Sequence, residues 1–311
     1  MIFELTILGS SSALPTSTKF PTAHVLNIHE RFFLIDCGEG TQIQLRKAHI
    51  RFGKINHIFI SHLHGDHVFG LFGVLSTFNL LGRKSILNVY AHPNMQRLLD
   101  FYQENFAEES SYTITLHSLT NRNLHLIYED RITEVYAFPL KHRIPAFGFL
   151  FREKKRPLNI RKEAIEEHTL SIKQIQSAKA GEDILTDNGI LIKNADITEP
   201  AYHPRSFAYC SDTAIYKKNI ETLKGTDLLY HEATFLNNDK QLARLTGHST
   251  ALQAAELAKT AEVRKLLIGH FSNRYKNIDD FLSEARSIFP ETEAAEELKK
   301  YSIPLVREVR Q

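Results

Sequence analysis

The run Ile58-Phe59-Ile60-Ser61-His62-Leu63-His64-Gly65-Asp66-His67 passes from apolar residues to three histidines and an aspartate within a few positions. Its first part, rich in isoleucine and phenylalanine, predicts a buried strand. The periodicity after it predicts a helix from about Val68 to Leu81. His62 and His64 are two residues apart, so an extended tip points both imidazoles the same way. Asp66 and His67 fall in the turn, where they can face a second point. Imidazole and carboxylate together suit zinc, with manganese or iron as alternatives. A plain strand-to-helix turn needs one histidine to cap backbone groups, not three beside a carboxylate.

Working outward, 311 residues can bury a large core, and 42% apolar with 24% charged residues is ordinary for a globular chain. A net charge of +2 excludes a general polycation, so any nucleic-acid binding needs a local basic patch. The opening Met1-Ile2-Phe3-Glu4-Leu5 reads as the start of a strand, not a signal peptide, and no apolar run is long enough to span a bilayer. A cytoplasmic protein without membrane partners is the expectation. Cys37 and Cys210 lie far apart in sequence and read as buried, reduced thiols.

Strands are predicted at Phe3–Leu8, Val25–Ile28, Phe32–Ile35, Ile86–Ala91, Leu228–Tyr230 and Lys265–Gly269, with three more between residues 112 and 140 and a last at Ile303–Val306. Phe207–Thr213 marks a return of compact order. Helices are predicted at Gln42–Ala48, Asn94–Asn105, Ser249–Thr260 with Ser249 as N-cap, and Ile278–Ile288. Between them, residues 152–197 lose strong periodicity and crowd Arg152, Lys154, Lys155 and Arg156 at their start. Polar residues gather at strand ends, where open α/β architectures carry their chemistry. Three of these have ligand character: His142 after Pro139-Leu140-Lys141, Asp212 in Cys-Ser-Asp-Thr, and His270 at the head of His-Phe-Ser-Asn-Arg-Tyr.

The pattern His-x-His-x-Asp-His resembles the signature of the metallo-β-lactamase superfamily. That resemblance implies an α/β (α+β) fold, an αββα sandwich of two mixed sheets flanked by helices, forming a single domain over residues 1–311. It also implies a two-metal site at one sheet edge: His62, His64 and His142 on one zinc, Asp66, His67 and His270 on the other, and Asp212 bridging them. Two cations roughly 3.5–4 Å apart suit phosphoryl chemistry.

Further motifs narrow the family. Leu8-Gly9 with Pro15, Asp36-Cys37-Gly38-Glu39-Gly40-Thr41-Gln42, His231-Glu232-Ala233-Thr234-Phe235, Gly247-His248-Ser249-Thr250 and His270-Phe271-Ser272-Asn273-Arg274-Tyr275 resemble motifs of ribonuclease Z, over nearly the whole chain and at the length of the short form. The resemblance implies a zinc-dependent homodimeric endoribonuclease. It would remove the 3′ trailer from precursor tRNA, leaving a 3′-hydroxyl on the tRNA and a 5′-phosphate on the trailer. Asp66 can accept a proton from the attacking water. Glu232 can orient and charge-stabilise His248, which can protonate the leaving 3′ oxygen. Arg274 can grip a phosphate. Residues 152–197 stand in the place of the family's tRNA-binding exosite arm, with Lys154, Lys155 and Arg156 as phosphate contacts; a solvated charged insertion is the plainer alternative. The helices after His67 and after Gly40 carry apolar faces suited to a dimer interface or to core packing.

Two departures stand out. The family often carries a Pro-x-Lys-x-Arg-Asn loop for the CCA end, where this chain has Pro15-Thr16-Ser17-Thr18-Lys19-Phe20-Pro21-Thr22, and the arm lacks a Gly-Pro-rich tip. Two other readings share these residues. A small-molecule phosphodiesterase or ester hydrolase would not be expected to carry the Glu232–His248 pair and a basic insertion. A non-catalytic RNA-binding subunit would be expected to have lost ligands.

Overall fold

Alternation along the strands sets up two layers of packing. Phe33, Ile35 and Phe59 belong to one buried cluster, while their neighbours Leu34, Ile58 and Ile60 belong to another. That period of two means each strand buries both faces. A computed structural model describes residues 1–107, 110–120, 122–186 and 188–307, and it places these strands in two seven-stranded sheets.

The first sheet runs in the order Lys300–Ser302, Phe3–Gly9, Ala23–Ile28, Arg31–Cys37, Ile55–Phe59, Leu87–Ala91, Ile114–Ser118. The second runs Thr292–Ala294, Leu266–Gly269, Leu228–Glu232, Ser206–Cys210, Phe147–Glu153, Thr133–Pro139, His125–Glu129. Their inner faces meet through aromatic rings: Phe33 lies 5.5 Å from Phe151, and Phe59 lies 5.4 Å from Phe149. Each fully buried ring contributes about 2–3 kcal/mol from lost apolar exposure. Helices Leu71–Leu80 and Met95–Phe106 cover the outer face of the first sheet, and Ala251–Thr260 and Asp279–Arg286 cover that of the second. The result is the expected αββα sandwich. Cys37 and Cys210 are both free and buried within it.

Three expectations need correction. The single helix predicted after His67 is two, Gly65–Val68 and Leu71–Leu80. Gly70 breaks it by pressing on the Gly38 turn: its N–H donates to Cys37 O at 2.9 Å, and a Cβ there would lie 1.9 Å from Gly38 O. Gly70→Ala should therefore cost about 2–3 kcal/mol, the usual cost of overpacking, measurable as a lower midpoint in urea unfolding. An unchanged midpoint would show that the turn yields freely. The N-cap of Ala251–Thr260 is Thr250, closing a capping box with Gln253, while Ser249 instead donates to Thr213 O. The last strand pairing with Phe3–Gly9 is Lys300–Ser302, not Ile303–Val306, because Pro304 has no N–H for a ladder. The edge strand Thr292–Ala294 is too short to give a periodic signal.

Residues 153–205, with 304–307, form a second compact unit. This is wider than the expected 152–197 and is not merely a solvated loop. It contains helices Lys162–Glu167, Ile172–Ala180 and Asn194–Ile197, two small two-stranded sheets, and a core of Ala164, Leu170, Ala178, Ile184, Ile192 and Ile197. Its strands span two residues each and its helices four to nine, too short for a sustained periodic signal. Glu153 N–H donates to Arg205 O at 2.9 Å, closing the neck where the chain enters and leaves.

Candidate metal centre

Parallel strands deliver the site. Ser206–Cys210, Leu228–Glu232 and Leu266–Gly269 lie side by side in parallel register, with Cys210 opposite His231 and Glu232 opposite Gly269. Asp212, Glu232 and His270 therefore emerge at one edge of the second sheet. From the first sheet, the strand Ile55–Phe59 leads to His62 and His64, and the short helix Gly65–Val68 presents Asp66 and His67. His142 comes from the loop after Thr133–Pro139.

The ligand-type atoms fall into two groups that share one residue. His62, His64, His142 and Asp212 have ligand atoms within 4.8 Å of one another, as do Asp66, His67 and His270. Asp212 divides its oxygens between them. Oδ2 lies 3.5 Å from His62 Nε2 and 3.9 Å from His142 Nε2, while Oδ1 lies 3.3 Å from His67 Nε2 and 3.1 Å from His270 Nε2. All seven residues expected to form the set are thus brought together.

The second nitrogen of four imidazoles is already committed. His67 Nδ1 donates to Asp36 Oδ2 at 2.8 Å, His142 Nδ1 to Gly247 O at 2.9 Å, His270 Nδ1 to Thr234 Oγ1 at 2.9 Å, and His62 Nδ1 to Ser61 Oγ at 3.0 Å. Those bonds leave each Nε2 as an acceptor facing the cluster. The buried Nε2 atoms of His67 and His270 have no well-formed hydrogen bond. A ring of imidazole nitrogens and carboxylates converging on shared points, with two nitrogens left over, fits divalent cations.

Electrostatics agree. Burial works against ionisation of Asp66 and Asp212, yet the facing histidines hold both carboxyls well below their usual range. His67 is raised well above its ordinary value: burial opposes the charge, but Asp212, Asp36 and Asp66 outweigh it. Burial instead lowers His62, His142 and His64, the last to about 4, keeping them neutral as ligands must be. The site is thus an anionic focus: the carboxylates hold a proton on His67, which a bound cation would displace, while His62, His64 and His142 stay neutral.

Asp36 was not among the expected site residues, although it sits in the quoted Asp-Cys-Gly stretch. It takes φ 55°, a left-handed conformation uncommon for aspartate. Four donors hold it there: Ser61 N at 2.7 Å, Ser61 Oγ at 2.8 Å, His67 Nδ1 and, from the opposite sheet, the Tyr209 hydroxyl at 2.6 Å. Asp36→Ala should lower affinity for a divalent cation by about 10–100-fold, the usual worth of a partner that orients a ligand. Competition with a chromophoric chelator checks this, and unchanged affinity would remove Asp36 from the site.

Beside the cluster, His248 Nδ1 donates to Glu232 Oε1 at 2.9 Å. Glu232 is fully buried and also accepts from Thr213 N, Thr234 N and Thr234 Oγ1, so its position is rigid. Burial opposes protonation of His248, but the Glu232 charge pushes it up to about 9, so the imidazolium predominates at neutral pH. His248 also groups with Asp212 and His270 within 4.8 Å. His231 turns away, with Nδ1 on the Glu232 carbonyl. Asp66 accepts a hydrogen bond from Ala13 N at 3.0 Å, bringing the segment just before the divergent loop against the cluster. Arg274 is about half exposed, lies 5.6 Å over the Phe235 ring, and has Nη1 3.8 Å from Asp239 Oδ2. In the second unit, Arg156 is drawn 2.8 Å from Glu153, which also holds Arg205; Lys155 is exposed, and Lys154 is partly covered.

Comparison with known proteins gives a consistent set. The chain matches the family models described as "Beta-lactamase superfamily domain" over residues 198–271 and "Anti-Pycsar protein Apyc1" over residues 3–136. It is 45% identical to the ribonuclease Z of Phocaeicola vulgatus, covering 98% of this chain and 99% of that one. It is also 45% identical to the ribonuclease Z of Bacteroides fragilis strain YCH46, covering 95% and 97%. The crystal structure of human tRNase Z, short form, superposes with a TM-score of 0.71 at 28% identity, over 97% of this chain and 99% of that one. The metallo-β-lactamase fold protein YhfI from Bacillus subtilis, at 16% identity and TM-score 0.69 over 97% and 100%, shares the fold.

Proposed function

The chain belongs to the ribonuclease Z family, and from that premise we propose that it is a metal-dependent endoribonuclease that removes the 3′ trailer from precursor tRNA. The observation that carries the chemistry is Asp212, with one oxygen toward each of two ligand groups. His62, His64, His142 and Asp212 would hold one cation, and Asp66, His67, His270 and Asp212 the other, with zinc favoured by the imidazole-rich donor set. When bound, two such cations supply Lewis acidity to a phosphate and make a water acidic enough to attack near neutral pH.

The chain's own residues account for the proton movements. Asp66 accepts a proton from the attacking water. The bond between phosphorus and the 3′ oxygen breaks, its electron pair stays on that oxygen, and His248 supplies the proton that leaves a 3′-hydroxyl. The water oxygen remains on the trailer as part of its 5′-phosphate. Glu232 keeps His248 charged and aimed. Arg274, leaning on Phe235 with Nη1 toward Asp239, can turn its remaining N–H groups to a phosphate. The direct test is to incubate zinc-loaded protein with a trailer-bearing precursor tRNA and map both ends. A cut with a 3′-phosphate on the tRNA, or no cut, would reject the reading.

Residues 153–205 serve in this reading as the tRNA-binding arm. Lys155 and Lys179 line a cavity of about 750 Å³ with Arg156, and Ile172, Leu185, Ile190 and Leu191 stand exposed. Cations beside exposed apolar side chains suit RNA, which offers phosphates and flat bases. The closed neck at Glu153 and Arg205 permits a short Gly-Ser linker in place of residues 154–204. That deletion should weaken precursor binding and flatten its salt dependence, measured by filter binding at several salt concentrations. Unchanged affinity would leave the unit without an RNA role.

A cytoplasmic homodimer completes the proposal. Ile43 at 54% and Phe69 at 64% exposure stand near the helices following Gly40 and His67, in keeping with an apolar contact between copies. Among the described residues, no helix is long and apolar enough to cross a membrane.

A further inference from the structure

Next to His248 lies a cavity of about 1030 Å³ that the ligand cluster leaves unused. Its wall runs from Lys141 and Ile215 to the helix Lys240–Thr246 and on to Gln253. Lys141, Lys240 and Arg244 are exposed, and none forms an ion pair with a described residue. The one carboxylate in the lining, Asp239, is already engaged: it accepts from the Tyr275 hydroxyl and has Arg274 3.8 Å away. Leu242, Leu245 and Ile215 add apolar surface, and Leu245 is 77% exposed. Three uncompensated cations around an apolar floor, with Asn238 and Gln241 offering amides, suit a nucleotide, which is anionic on one side and flat and apolar on the other.

The position of His248 gives this cavity a polarity. A proton donor must come within hydrogen-bond reach of the oxygen that it protonates. The ribose bearing the leaving 3′ oxygen therefore sits against His248. We propose that the cavity His248 lines receives the last nucleotide retained by the tRNA, with Lys141, Lys240 and Arg244 on the phosphates that precede it. The trailer then departs on the side of the metal ligands. This assignment rests on the reading of His248 as the donor to the 3′ oxygen.

Product tRNA carrying 4-thiouridine as its 3′-terminal nucleotide, and a 5′-phosphorylated trailer oligonucleotide carrying it at the first position, are each irradiated with the zinc-loaded enzyme. The tRNA end should cross-link within the peptide spanning residues 237–253, and the trailer should not. A trailer cross-link in that peptide, or equal cross-linking by both, overturns the assignment. A second measurement covers weak photochemistry. Lys240→Ala combined with Arg244→Ala should weaken product tRNA binding roughly 10-fold and reduce the slope of log affinity against log salt by about 1.4, from about 0.7 for each single-strand phosphate released. Trailer affinity and the melting temperature should hold. Unchanged product affinity with no cross-link in the peptide also overturns it. The acid reading is judged separately, by whether loss in His248→Ala depends on the leaving group. A cross-link in the cavity with no such dependence retains the subsite and removes the acid. Dependence without the cross-link does the reverse.

Discussion

Asp212→Ala protein should hold well under one equivalent of zinc per chain, where the unaltered protein should hold close to two. The reason is geometric. Among the described residues, Asp212 is the one carboxylate with an oxygen facing each ligand group, at 3.1 and 3.3 Å from His270 and His67 and at 3.5 Å from His62. Removing it takes an anion from both groups at once and leaves five imidazoles converging without it. Precursor tRNA cleavage should fall at least roughly 10³-fold, because metal Lewis acidity is worth several kcal/mol in such transition states. Asp212→Asn tests charge apart from shape and should lose metal less completely. Elemental analysis finding two zinc ions in Asp212→Ala would refute the shared ligand.

His248→Ala should behave in the opposite way, keeping its zinc and its tRNA affinity while turnover falls by about 10²–10⁴, the usual worth of a positioned acid. Nitrophenolate leaves with little need of a proton, so the loss on a nitrophenyl phosphodiester should be far smaller. Equal losses on both substrates, with zinc intact, would place His248 in substrate positioning and take away its acid role. Its pH behaviour follows from its partner. Burial disfavours the imidazolium, but Glu232 at 2.9 Å raises its pKa to about 9. A reaction that needs the protonated form is supported below that value and lost as pH rises through it. In Glu232→Gln, the alkaline limb of kcat should therefore move down, toward the ordinary histidine range near 6.5. Cations bound next to His248 would lower the limb in both proteins and leave their order unchanged. Losses in Glu232→Ala and His248→Ala should not add, since both serve one proton transfer.

Much of this site was legible along the chain because its signals are local. His62, His64, Asp66 and His67 occupy one strand-to-helix turn, and the spacing of two already turned the first pair toward a common point. The strands were legible because their apolar runs are bounded by polar ends, and those ends pointed to His142, Asp212 and His270, which the fold gathers with the other ligand-type residues. The first-half boundaries mostly erred by a residue or two. Gly70, Thr250 and Pro304 account for the larger misses: a backbone contact, a cap displaced by a bridge to Phe235, and a missing donor.

Ligand type and order therefore belong to the sequence, since side-chain chemistry and strand periodicity are properties of neighbouring residues. The tertiary structure alone decided how the pieces meet. Asp36 gains its place from Tyr209, 173 residues away on the other sheet, and Asp212 comes to face both ligand-type groups because parallel pairing brings three strand ends to one edge. Likewise, the helix Lys240–Thr246 borders His248 as the wall of a cationic cavity, and residues 153–205 close on a core of their own. None of these contacts has a period or a motif, because each depends on groups far apart in the chain that only the packed sheets bring within hydrogen-bonding distance.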